Sequence, residues 1–90
     1  MSDEAADRIA QIRAEIDKLD CEIVQLLNAR AAKALEIRGL KPAVKWSLYD
    51  PKREEEIFAN LAECNEGPLY GDNLREIYET ILHVMKELRG

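Results

Sequence analysis

The feature that most constrains this chain is a regular row of apolar residues in its first half, within a stretch that holds no proline from Asp7 to Lys41. Six apolar residues follow one another at steps of 3, 4, 3, 4 and 3, namely Ile9, Ile12, Ile16, Leu19, Ile23 and Leu26. This heptad spacing predicts one long helix whose apolar face pairs with other helices. Continuing the count leads to Arg30 and Lys33 and then to Ile37 and Leu40, so the predicted face keeps its phase but becomes cationic at its centre.

The length of this helix conflicts with the size of the chain, which has 90 residues. A helix of about 35 residues is roughly 52 Å long. A compact domain of this size has a radius of gyration of only about 12 Å, so one chain cannot cover the whole apolar row. The sequence therefore predicts a single helical domain, residues 1–90, that forms an intertwined homodimer.

A break in the pattern follows the long helix. Pro42 is expected to end it, and residues 42–49, which show no periodicity, are expected to form a loop. Asp50 then supplies an N-cap and Pro51 a first helical residue, so a second helix is predicted to begin here.

A third helix is predicted after Gly67 and Pro68, which are expected to close the second one. Asp72 is expected to cap this helix. Its apolar stripe consists of Leu74, Ile77, Tyr78, Ile81, Leu82, Met85 and Leu88. The predicted fold is therefore all-α, with one long helix, a loop and two shorter helices.

The composition excludes several classes of function. Thirteen Lys and Arg against 18 Asp and Glu give a net charge of −5, which repels the phosphate backbone of nucleic acids. One histidine, His83, and two cysteines far apart in sequence show no spacing typical of a metal site. No apolar run is long enough to cross a membrane. We expect a cytoplasmic protein with reduced thiols and no metal, nucleic acid or membrane partner.

Arg30 and Lys41 are candidates for binding a small anion. Eleven residues of helix turn through about 1,100°, so the two side chains leave nearly the same face, about 16 Å apart along the axis. Their long flexible stems can bring both charged groups to one ligand. Alternatively, each stem covers apolar surface while its charged group stays in water.

Glu54 is the matching candidate on the second helix. Steps of 3, 4 and 3 residues connect it to Ile57, Leu61 and Cys64, which turns its carboxylate toward the apolar side. A carboxylate in that position needs a partner, either a cation or a ligand hydroxyl. Alternatively, Glu54 lies on an exposed first turn and complements the helix dipole.

Five stretches of the sequence match the motifs of a known family: IRAEIDKLDCEIVQLLNAR, EIRGLK, YDPKREEEI, NEGPL and IYETIL. Together they resemble the all-helical class of chorismate mutase over roughly Ile9 to Leu88. The resemblance implies a domain-exchanged helical dimer with two active sites. It also implies the rearrangement of chorismate to prephenate, which is unimolecular and needs no cofactor, nucleophile or general base.

The same resemblance implies substrate contacts on the long helix. Arg30 and, from the partner chain, Arg13 would bind the two carboxylates of chorismate. Helix geometry agrees, since 17 residues separate these arginines by about 25 Å, too far for one ligand within one chain. Lys41 would stabilise the ether oxygen and one carboxylate. Three residues earlier, Arg38 stands where the family usually has Gly.

The remaining implied contacts come from the two shorter helices. Glu54, with Asp50 and Arg53 nearby, would orient the ring hydroxyl of the substrate. In the last turn of the third helix, Arg89 takes the position of a Gln or Glu that faces the ether oxygen in the family, so it would be catalytic. Met85, four residues before it, replaces a small residue and would contact the substrate.

Two alternatives to a chorismate mutase remain open at this point. Isochorismate pyruvate lyase uses the same scaffold with similar cations, and a non-catalytic helical module would serve regulation or dimerisation in the shikimate pathway. Lys41 and Glu54 disfavour a plain dimerisation module, because a coiled-coil interface has no use for them. Turnover of chorismate or of isochorismate distinguishes the two enzymes.

Overall fold

The computed structural model describes residues 2–44 and 50–89 of the chain. Three helices follow one another: α1 (Ser2–Val44), α2 (Pro51–Cys64) and α3 (Gly71–Glu87). No strand occurs in the described ranges, so the predicted all-α order of one long and two shorter helices is confirmed. Within the same ranges, none of the helices combines the length and the apolar character needed to cross a membrane.

The long helix α1 has 43 residues and continues past Pro42, so the prediction that this proline ends the helix was wrong. A proline fixes φ near its helical value, but it removes its own N–H from the hydrogen-bond ladder and its ring crowds the carbonyl four residues earlier. The helix nevertheless extends past the proline by two residues, Ala43 and Val44, before it ends. Residues 45–49 of the predicted loop lie outside the described residues.

The start of α2 follows the predicted capping pattern. The Asp50 side chain accepts a hydrogen bond from the Arg53 backbone N–H over 3.0 Å, and Pro51 is the first helical residue. The helix ends at Cys64, where the backbone N–H of Asn65 donates to the Leu61 carbonyl over 3.0 Å. Helix α2 is therefore closed before the predicted Gly67-Pro68 boundary.

A tight turn connects α2 to α3. Gly67 has a φ of 77°, which favours glycine, and a cis peptide bond joins it to Pro68. The Asn65 side chain holds this turn, accepting from the Gly67 N–H over 3.0 Å and donating to the Leu69 carbonyl over 2.8 Å. The turn fixes where α3 begins.

The cap of α3 differs from the prediction. Tyr70, not Asp72, is the N-cap residue, and its backbone N–H donates to Oδ1 of Asn73 over 3.0 Å. Asp72 lies inside the first turn, where its carboxylate accepts from the Asn73 N–H over 3.0 Å. An acidic residue there is favoured by the positive end of the helix dipole, so Asp72 serves the helix start without capping it.

The chain divides into two compact units, Met1–Lys33 and Ala34–Gly90. The first consists of the larger part of α1. Its predicted apolar row lies in water, with the six residues from Ile9 to Leu26 between 38% and 70% exposed. The first unit therefore contains an apolar helix face that is not buried within its own chain.

The second unit contains the end of α1 together with α2 and α3. Leu82 of α3 is 7% exposed and is the buried apolar residue of the described chain. On α1 the half-buried residues of this unit are Ala34, Leu35, Arg38 and Lys41. Ile37 and Leu40, to which the heptad count led, are exposed, so the face that packs in this unit is not the predicted row.

Candidate active site

Glu54 at the start of α2 forms an ion pair with Lys86 near the end of α3. The Lys86 Nζ lies 2.8 Å from Oε2 of Glu54, whose side chain is 29% exposed. The sequence indicated that this carboxylate needs a partner, either a cation or a ligand hydroxyl. In the structure its partner is a cation, Lys86. A carboxylate has about four lone-pair sites, so the ion pair with Lys86 leaves capacity for Glu54 to accept a ligand hydroxyl as well.

Arg38 of α1 holds the same end of α3. Its guanidinium donates hydrogen bonds to the main-chain carbonyls of Lys86 and Leu88. These carbonyls belong to the end of a helix, where several carbonyls have no intrahelical partner. A positive charge at this end also complements the helix dipole, so Arg38 stabilises the last turn of α3.

The two residues predicted beside Glu54 make contacts within α2. Asp50 is exposed and serves as the N-cap, and Arg53 is exposed and pairs with Glu56 over 3.3 Å. Exposed ion pairs of this kind constrain a side chain only weakly. The guanidinium of Arg53 can therefore reorganise around a ligand, whereas the carboxylate of Asp50 is held at the start of α2 by its capping bond.

The sequence predicted that Arg89 lies in the last turn of α3, but in the structure this residue lies beyond the end of the helix. The helix ends at Glu87, because Leu88 has an extended backbone with φ −62° and ψ 140°. Arg89 follows this residue and is exposed. Met85 lies within α3, is half-buried, and its carbonyl accepts from the Leu88 N–H over 3.4 Å.

The three predicted cations of α1 differ in exposure. Arg13 is exposed, whereas Arg30 and Lys41 are half-buried. Arg13 and Arg30 belong to the first unit, and Lys41 belongs to the second together with the five predicted residues of the C-terminal half. Partial burial strengthens the attraction of a cation for an anion, because less water screens it.

A cavity of about 470 Å³ opens within the second unit, lined by Pro51, Glu54, Glu55, Phe58, Ala59 and Arg75. The guanidinium carbon of Arg75 lies 4.0 Å from the centre of the Phe58 ring, which is a cation–π contact. Of the predicted site residues, Glu54 alone is among those that line this cavity. Arg75, a cation that the sequence did not indicate, thus lines the same cavity as Glu54.

Comparison with known protein families identifies the family to which this chain belongs. The family model described as chorismate mutase type II matches residues 12–90. The chain belongs to this family. The resemblance drawn from the sequence motifs is thereby confirmed.

Individual chorismate mutases agree with this assignment. The structure of chorismate mutase (form II) from Thermus thermophilus is 36% identical and superposes with a TM-score of 0.87, covering 90% of this chain and 92% of that one. The chorismate mutase of Methanocaldococcus jannaschii is 30% identical over 61 residues, which are 67% of this chain and 62% of that protein.

A longer relative is the bifunctional chorismate mutase/prephenate dehydratase of Aquifex aeolicus. It is 33% identical over 82 residues, which are 91% of this chain but 22% of that protein. The chain thus spans about a fifth of the length of this bifunctional relative.

Lys86 and Arg75 are the residues that sequence reasoning missed in this chorismate mutase family member. A lysine in the last turn of a helix is what the helix dipole favours on any surface helix, so the sequence contained no signal that Lys86 reaches Glu54. Arg75 lies four residues before Glu79 and pairs with it over 3.7 Å, a common surface arrangement. Its contact with Phe58 depends on how α2 packs on α3, which the periodicity of neither helix specifies.

Proposed function

We propose that this chain catalyses the rearrangement of chorismate to prephenate as a homodimer, with each active site built from both subunits. The observation that carries this proposal is the extent of the family match, which runs from residue 12 to residue 90. It therefore spans every predicted site residue, from Arg13 to Arg89. We further propose that residues 1–90 act as one domain in the cytoplasm.

The rearrangement of chorismate can be catalysed by a site that consists of cations and one carboxylate. In this rearrangement a C–O bond breaks and a C–C bond forms within one molecule, so no group has to take a proton or attack the substrate. Catalysis then requires a compact substrate conformation and positive charge where the ether oxygen gains negative charge. Arg30 and Arg13 of the partner subunit bind the two substrate carboxylates and impose that conformation.

The second group of residues acts at the ether oxygen and at the ring. Lys41 and Arg89 donate to the ether oxygen, and Glu54, assisted by Asp50 and Arg53, accepts a hydrogen bond from the ring hydroxyl. The half-buried positions of Lys41 and Glu54 support these roles, because partial exclusion of water strengthens such contacts. Met85, also half-buried, contacts the substrate from α3.

Two observations support the homodimer. The apolar row of α1, residues 9–26, is exposed within one chain, and a second copy would bury it. In addition, Arg13 and Arg30 lie on one continuous helix and are separated by about 25 Å along its axis, so a single chain cannot bring both to one small molecule.

The decisive experiment follows the absorbance of chorismate in the presence of the purified chain and identifies prephenate as the product. Arg30→Ala tests whether a contaminating host enzyme causes the signal, and Arg8→Ala, an exposed arginine of the same helix, is its matched control. We expect the wild type and Arg8→Ala to convert chorismate and Arg30→Ala to be nearly inactive. Pyruvate released from isochorismate would instead indicate a lyase, and binding of chorismate without turnover would indicate a non-catalytic module.

A further inference from the structure

Lys86 connects all three helices of the second unit. Its ammonium group lies 2.8 Å from Oε2 of Glu54 on α2, and its main-chain carbonyl accepts a hydrogen bond from Arg38 on α1. The residue itself belongs to the last turn of α3. Its backbone is therefore bound to α1 and its side chain to α2.

We propose that Lys86 is a positioning residue that holds the carboxylate of Glu54 for the substrate, an inference that rests on the proposed function. A glutamate side chain has several rotatable bonds, and ordering it costs conformational entropy at the moment of binding. Glu54 is 29% exposed, so burial alone does not fix its rotamer. The ion pair orders the carboxylate before the substrate arrives and leaves lone pairs on it to accept the ring hydroxyl.

Arg38 holds the backbone from which the Lys86 side chain reaches Glu54. The last carbonyls of a helix have no partner within the helix and are bound by other groups or by water. Arg38 donates to the carbonyls of Lys86 and Leu88, so the backbone that carries the Lys86 ammonium group is held in place. The exposed pairs Arg53–Glu56 and Arg75–Glu79 each lie within one helix, whereas the pair of Lys86 with Glu54 joins two helices.

The test compares Lys86→Met, which keeps the length of the stem without its charge, with Lys86→Arg, which keeps the charge. Lys18→Met is the matched control, since Lys18 is exposed on α1 and the substitution removes the same charge. We expect Lys86→Met to lower kcat/KM for chorismate about fivefold, the upper range for a partly exposed ion pair. Lys86→Arg and Lys18→Met should stay within about twofold of wild type.

A double-mutant cycle with Glu54→Gln separates positioning from a general effect of charge or stability. If Lys86 acts through Glu54, the substitution Lys86→Met should change kcat/KM by less than about 1.5-fold once Glu54→Gln is present. Equal losses in both backgrounds, or an unchanged Lys86→Met, would overturn the proposal. An inactive wild type would overturn the proposed function together with it, whereas an active wild type with an unaffected Lys86→Met overturns this proposal alone.

Discussion

The two units of the chain bury their apolar residues to very different extents. In the first, residues 3–33 are exposed apart from Leu27, Arg30 and Ala31, which are half-buried. In the second, helices pack on one another around Leu82, and an ion pair and a cation–π contact join α2 to α3. The first unit is thus a helix with an exposed apolar face, and the second is a small cluster of helices packed on one another.

This difference indicates what stabilises each half. An isolated helix is only marginally stable in water, and most helical stability in proteins comes from packing of an apolar face. Exposed apolar area of the kind found between Ile9 and Leu26 is worth about 25 cal/mol per Å² when it is buried. We therefore infer that substitutions in the first unit act through association of subunits, whereas those in the second act on contacts within the chain.

The largest expected effect comes from charges placed in the apolar row of the first unit. Ile16→Asp combined with Ile23→Asp would put two unpaired carboxylates into the proposed subunit interface, which is strongly unfavourable. We expect this double variant to lose the dimer of about 20 kDa, twice the 10.3 kDa of one chain, and with it all activity. Sedimentation velocity and the chorismate assay measure the two losses.

The chain offers a matched control for this experiment. Ala14 and Cys21 are also seven residues apart and exposed, but they lie on the opposite side of α1 from the row. The pair Ala14→Asp and Cys21→Asp adds the same charge and should remain an active dimer. A row variant that still sediments as an active dimer would contradict the comparison between the two units.

The next largest effect is the loss of activity expected when one cation is removed, either Arg30 of the first unit or Lys41 of the second. Arg30→Ala and Lys41→Ala should each lower kcat/KM for chorismate at least about 100-fold, the loss typical of removing one charge-stabilising donor. Both variants should keep their helical circular dichroism, because alanine favours a helix at least as strongly as arginine or lysine does. Loss of helical structure in either variant would show that its side chain has a structural role.

Mixing two inactive variants sharpens the proposed division of the site between subunits. Arg13→Ala and Arg30→Ala chains are each expected to be nearly inactive alone. After subunit exchange, half of the dimers are mixed and each contains one intact site, so about a quarter of wild-type activity should return. Absence of recovery, with exchange verified by mass, would contradict an arginine contributed by the partner subunit.

Much of the fold followed from the sequence because helices have strong local signals. The spacing of the apolar row, the cap at Asp50 and the stripe around Leu82 each depend on residues within one helix. Pro42 misled the prediction by only two residues, because proline disfavours a helix without excluding it, and α1 ends at Val44.

The contacts of the candidate site followed from the sequence only in part. The spacing of Glu54 indicated a carboxylate in need of a partner, yet it could not name Lys86, which is 32 positions away and on another helix. Arg38 was noticed for its position in the motif, but its bonds go to backbone carbonyls, which carry no residue-specific signal. Contacts between helices depend on packing, which periodicity within one helix does not encode.

A smaller effect is expected from Arg38→Ala, which tests the packed second unit. Hydrogen bonds from a charged donor to main-chain carbonyls, discounted for partial exposure, stabilise by about 1 kcal/mol. For a domain of this size that corresponds to a fall in Tm of roughly 4–8 °C at fixed protein concentration. Thermal unfolding followed by circular dichroism measures this change.

An arginine of the first unit is the control for Arg38→Ala. Arg8 is exposed, and its Nη1 lies 3.9 Å from Oε1 of Glu15, a weak surface pair. Arg8→Ala should therefore leave Tm within about 1–2 °C of wild type. Equal falls in Tm for the two arginine variants would show that the hydrogen bonds of Arg38 do not stabilise the second unit.

The smallest effect is expected at Arg89, since it lies beyond the end of α3 and is exposed. A guanidinium stays charged throughout the working pH range and offers several donors to an ether oxygen, so kcat/KM should vary little between about pH 6 and 9. An exposed side chain must be ordered by the substrate itself, and this entropic cost limits its contribution. Arg89→Ala should therefore lower kcat by roughly threefold, and Arg89→Gln, which keeps a donor, should stay near wild type. Unchanged kinetics in Arg89→Ala across this pH range would show that Lys41 stabilises the ether oxygen alone.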